Sequence, residues 1–86
     1  MSHILIVDDE ESIRRSLAGI LSDEGFETDT VADGEKALTA LREGEQAPDL
    51  VLLDIAMPGR DGVEILAEIR QAWPALPVLM MSGHGT

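Results

Sequence analysis

The stretch LVLLDIAMPGRDG, Leu50–Gly62, sets one carboxylate directly behind a run of four aliphatic residues and then enters a turn at Pro58-Gly59. A run this short and apolar reads as a strand buried on both faces, the mark of a parallel sheet covered by helices. Asp54 then stands at the carboxyl end of a buried strand, serving either the turn that follows or a chemical purpose.

Working outward, His3–Val7 and Pro77–Met81 are two more short aliphatic runs and predict two more strands buried on both faces. Glu27–Val31 alternates polar and apolar residues (ETDTV) and predicts a more exposed edge strand. Helical spacing links Ile13, Leu17, Ile20 and Leu21, with Gly25 as a stop. Asp33 can cap a second helix carrying Ala37, Leu38 and Leu41, which Gly44 ends. Asp61 with Glu64 resembles a capping box. The helix it opens runs through Val63, Leu66 and Ile69 toward Trp73, with Pro74 as terminator. The order β-α-β-α-β-α-β predicts an α/β fold with right-handed crossovers.

Composition bounds the function. A chain of 86 residues suggests one domain or less, and 44% hydrophobic content favours folding over disorder. With one Phe and one Trp, the core must come from Leu, Ile, Val, Ala and Met. No cysteine is present, so disulfides and thiolate metal sites are excluded. The formal net charge of −11 argues against direct nucleic-acid binding and favours cations or basic partners. The N-terminal apolar run is too short for a signal peptide, and no stretch approaches membrane-spanning length, so a cytoplasmic location is expected.

In an open parallel sheet, ligands bind beyond the carboxyl ends of the strands. The first strand ends in Asp8-Asp9 and the third in Asp54. If those two strands are neighbours, three carboxylates converge and repel one another, a conflict that a hard cation such as Mg2+ resolves. One carboxylate can then act as a nucleophile, which makes phosphoryl transfer to an aspartate plausible chemistry. Each acid also has a plainer use: Asp8 or Asp9 can cap the first helix, and Asp54 can form a turn. Ser82 follows the fourth strand at the same end and could hydrogen-bond a phosphoryl oxygen, or simply belong to a Ser-Gly turn. His84, alone in a loop, and His3 read as non-catalytic.

Taken in order, ILIVDDEESIRRSL, LVLLDIAMPGRDGVEIL and PVLMMSGHG resemble the receiver domain of two-component response regulators, over essentially the whole chain. The resemblance implies a flavodoxin-like (CheY-like) three-layer α/β/α sandwich with a parallel sheet in the order 2-1-3-4-(5). It implies Asp54 as the acceptor of a phosphoryl group from a sensor histidine kinase. It also implies Mg2+ held by Asp9 directly, by Asp8 mainly through water, by Asp54 and by the backbone carbonyl of Ala56. Ser82 matches the switch hydroxyl, while Pro58 and Gly62 shape the acceptor loop. The MSGHGT ending is similar to regulators of the NtrC/NtrX type, which activate sigma-54-dependent transcription; an output in transcription regulation is expected.

The family's lysine on a fifth strand has no counterpart, nor have the fourth helix, fifth strand and fifth helix. Residues 1–86 are therefore expected to be the N-terminal portion of a receiver, with an exposed fourth-strand edge open to homodimer formation or strand exchange. Two other functions stand beside the phospho-acceptor: a degenerate receiver that acts as an interaction module, and an aspartyl-phosphate hydrolase. The hydrolase usually places a second acid two residues after its nucleophile, where this chain has Ala56.

Overall fold

The aliphatic run before Asp54 forms an inner strand, and its neighbours follow from which side chains it must bury. A computed structural model describes residues 2–44, 47–54 and 62–81. Along the chain the elements are β1 (His3–Val7), α1 (Glu11–Asp23), β2 (Glu27–Val31), α2 (Gly34–Glu43), β3 (Leu50–Asp54), α3 (Gly62–Ala72) and β4 (Val78–Met81). The strands are all parallel, in the order β2-β1-β3-β4. This is the order and class that the resemblance implied.

Alternation along β1 and β3 divides the aliphatic residues between two faces. Ile4, Ile6 and Leu52 turn to one side, where Leu17, Ala18 and Leu21 of α1 and Phe26 pack on them. Leu5, Val7, Val51 and Leu53 turn to the other, against Ala37, Leu38 and Leu41 of α2 and Ile65, Leu66 and Ile69 of α3. The sheet is thus the middle of three layers, and burial on both faces explains why β1 and β3 are aliphatic throughout.

Several local expectations hold and several are corrected. Asp33 caps α2, its Oδ1 accepting the Lys36 N–H at 2.8 Å. Gly25 follows α1 with a φ of 94°, a left-handed conformation that glycine adopts without strain. β3 runs one residue further than expected, through Asp54, and β4 begins at Val78 rather than Pro77. β4 is not buried on both faces: Leu79 is 58% and Met80 48% exposed. It has one strand neighbour among the described residues, and the helices on either face centre on β1 and β3.

Ile13 and Ile20 of α1 are exposed, because the inward stripe is Leu17, Ala18 and Leu21 at i, i+1, i+4. In α3 the inward stripe is Ile65, Leu66 and Ile69, which leaves Val63 outside. The Asp61 cap lies outside the described residues.

The two helices on one face meet closely at Gly34. A Cβ there would overlap Cγ1 and Cδ1 of Ile65, a side chain with no exposure. Gly34→Ala is therefore expected to destabilise the fold by about 1–3 kcal/mol, the usual range for overpacking, as read from urea denaturation.

Candidate metal centre

The register of β1 on β3 builds the site. Val7 lies opposite Leu53, so the next residues, Asp8 just past β1 and Asp54 at the end of β3, stand side by side at the carboxyl edge of the sheet. Asp9 follows Asp8 into the turn before α1. Asp8 is 3% exposed, Asp54 is fully buried and Asp9 is exposed. One carboxylate oxygen from each lies within 4.8 Å of the others, the one such cluster of possible metal ligands among the described residues.

Like charges at 4.8 Å repel by roughly 3 kcal/mol per pair at an effective dielectric near 20. That exceeds the approximately 1 kcal/mol of a helix cap, so capping alone gives no reason to gather three acids. Nor does either aspartate take the cap: the N-cap of α1 is Glu10, whose N–H donates to Asp8 Oδ1 at 2.9 Å. Burial pushes the Asp8 carboxyl above the ordinary carboxylate value. The Glu10 hydrogen bond partly offsets the rise, while the charges of Asp54, Asp9 and Glu10 add to it.

The donor set fits a hard cation. It is oxygen only, compact, and open to water on the Asp9 side, which suits Mg2+ and not a metal that seeks nitrogen or sulfur. Asp8, Asp9 and Asp54, the three acids singled out from sequence, are those brought together. Ala56, Pro58, Ser82 and His84 lie outside the described residues. His3 sits at the opposite end of the sheet, where its Nε2 meets Asp29 Oδ2 at 2.6 Å.

Arg14 is a contributor that the sequence reading missed. Its Nη1 donates to the Asp8 backbone carbonyl at 2.8 Å and pins the turn that carries both aspartates. The signal was available: an arginine in the first turn of a helix opposes the helix dipole and needs another partner. Arg14→Ala is expected to lower stability by about 1–2 kcal/mol, against less than about 0.5 kcal/mol for Arg15→Ala on the exposed face. Chemical denaturation of both variants checks the contrast.

Comparison with known proteins places this geometry. The profile of the response regulator receiver domain matches residues 4–86. The chain belongs to that family: it is a receiver domain of the kind found in two-component response regulators. It is 46% identical over 88 residues to the nitrogen assimilation regulatory protein NtrX of Azorhizobium caulinodans, covering 99% of this chain and 19% of the relative. The chain thus spans about a fifth of that relative's length.

Among solved structures, the receiver domain of NtrX from Brucella abortus superposes with a TM-score of 0.86 at 54% identity, covering 95% of this chain and 68% of that one. The response regulator TrrA, solved in complex with the histidine kinase ThkA, superposes with a TM-score of 0.88 at 40% identity, over 100% of this chain and 72% of that one. TrrA of Thermotoga maritima has also been solved with Mg2+ and BeF. No helix among the described residues is long and apolar enough to cross a membrane.

Proposed function

We propose that Asp54 accepts a phosphoryl group from the phosphohistidine of a sensor kinase, with Asp8, Asp9, Asp54 and the Ala56 carbonyl as the residues that would hold Mg2+. The observation that carries this reading is the in-register pairing of β1 with β3, which sets buried Asp54 beside Asp8 and Asp9. The ion supplies positive charge against the acids and the transferred group.

An Asp54 carboxylate oxygen attacks phosphorus, the bond from phosphorus to the histidine nitrogen breaks, and an acyl phosphate forms. The Ser82 hydroxyl donates to a phosphoryl oxygen. The new charge then biases the loop that follows β4. Loss of phosphate is slow self-hydrolysis rather than turnover of a substrate, so the domain signals and does not act as an enzyme.

The TrrA–ThkA complex supports a kinase partner, and TrrA with Mg2+ and BeF supports the ion. The DNA-binding response regulator MtrA of Mycolicibacterium smegmatis, 43% identical over 79 residues, supports an output in transcription, and a cytoplasmic place for the domain accords with it. The place of β4 at the end of the described sheet also supports pairing of that strand with a second copy, which sedimentation at several concentrations would register.

The direct test is incubation with acetyl phosphate and Mg2+, followed by intact-mass measurement. The expected result is one added phosphoryl group, absent in EDTA and released by hydroxylamine, as for an acyl phosphate. A label that resists hydroxylamine would place the modification on another kind of residue and overturn the assignment.

A further inference from the structure

The outer edge of β2, one strand away from the β1 that carries Asp8, holds a second set of features with no part in phosphoryl transfer. The Glu27 N–H donates to the Ser2 carbonyl at 2.9 Å and the Asp8 N–H to the Val31 carbonyl at 3.2 Å. These bonds turn the odd-numbered residues of β2 toward β1. Thr28 and Thr30 therefore present their backbone N–H and C=O groups outward, at the end of the described sheet.

The side chains of Glu27, Asp29 and Val31 lie on the face shared with His3, Leu5 and Val7. A groove of about 980 Å3 follows the outer edge of β2, from the C-terminal half of α2 on that face round to the α1–β2 turn at Ser22 and Phe26. Leu5, Ala40 and Leu41 give it an apolar lining, and Glu27 and Asp29 line its strand side. No Lys or Arg lines it among the described residues. Asp29 is held by His3 through one oxygen, yet its side chain is 69% exposed.

The geometry points to this groove as a docking site for an extended, basic segment of a partner protein, added antiparallel beside β2 as a fifth strand, so that the residues opposite Thr28 and Thr30 turn their N–H groups inward. Three features select that occupant together. Outward backbone groups require a strand. The acids two residues apart require Lys or Arg at alternate positions of the incoming strand, and the lining beside Leu41 requires an apolar residue after them. A second copy of this chain is disfavoured there, because its own β2 would bring Glu27 and Asp29 against like charges.

The test is an NMR titration of the 15N-labelled chain with the acetylated, amidated peptide Lys-Thr-Lys-Thr-Val. The largest saturable shifts are expected at the Thr28 and Thr30 amides, with none at Asp9 or Asp54; the Asp8 amide, bonded to the Val31 carbonyl, reports the strand as well and is left out of the contrast. Methylating the backbone nitrogens of the two peptide threonines should abolish them. The paired change Glu27→Gln with Asp29→Asn should weaken binding about fivefold, as two exposed charge pairs warrant. Asp54→Asn should leave binding unaltered, which separates this site from the phospho-acceptor. Equal shifts from the methylated peptide or from spermidine would reduce the effect to charge attraction and overturn the proposal, as would shifts centred on the acidic cluster or none that saturate. The peptide arms use the unaltered chain, so the proposal remains testable should the double variant fail to fold.

Discussion

Asp54→Asn is expected to abolish phosphoryl uptake from acetyl phosphate while leaving the domain folded. The substitution keeps the shape of a side chain that has no exposure, so packing around it changes little. It removes the anionic oxygen that attacks phosphorus, and a neutral amide is a far weaker nucleophile. It also removes one of three charges gathered within 4.8 Å, so the metal-free variant should melt higher than the parent chain. Intact-mass spectrometry and thermal denaturation on the same samples read both effects. An undiminished adduct would move the acceptor to another residue, and a lower melting temperature would show that the buried carboxylate has partners worth more than the repulsion it suffers.

The second large effect falls on Asp8, whose replacement by Asn should separate the stability of the empty site from its capacity for metal. Asp8 lies 3% exposed, and burial, the charges of Asp54 and Asp9 and that of Glu10 outweigh the Glu10 N–H that favours its ionised form. Its folded-state pKa is thus raised above the unfolded value. The folded state binds the proton more tightly, so metal-free stability falls as pH rises from the ordinary value of 3.8 through the raised one, and recovers as pH is lowered again through that window.

Asp8→Asn should flatten this dependence and raise stability at neutral pH without metal. With Mg2+ the order should reverse. A ligand at a hundredfold excess over its dissociation constant stabilises by about 2.7 kcal/mol, and the variant, one carboxylate short, should need at least roughly tenfold more Mg2+ for the same gain. Thermal melts across pH and Mg2+ concentration test both halves. Equal Mg2+ stabilisation of parent and variant would remove Asp8 from the ligand set.

How far the sequence discloses the molecule depends on whether the deciding force is local. The aliphatic runs of β1 and β3 were legible because burial on both faces leaves no other composition. Asp33 was legible because a cap is a contact within four residues. Ile13, Ile20 and Val63 were misassigned because helical spacing finds apolar stripes without saying which one has a sheet beneath it. β4 was read as buried from its own residues, although burial depends on what flanks it. At the site, the types of the three acids were readable, but their convergence depends on β1 lying beside β3, which the family resemblance supplied and spacing alone did not. Arg14 escaped because its bond goes to a backbone oxygen, which no side-chain motif records.

The position of Trp73, the one tryptophan, adds a practical consequence. Its ring packs against the α2–α3 side of the core and shares a groove with Pro48 and Pro77, which precede β3 and β4. Asp54 closes the far end of β3, about 13 Å along the strand from Leu50 by four strand rises. Indole emission is therefore blind to ion binding as such and follows the integrity of the opposite pole. Any change in its colour on adding Mg2+ would mean that β3 or α3, which ends at the indole, had moved, making this single fluorophore a strain gauge for the fold.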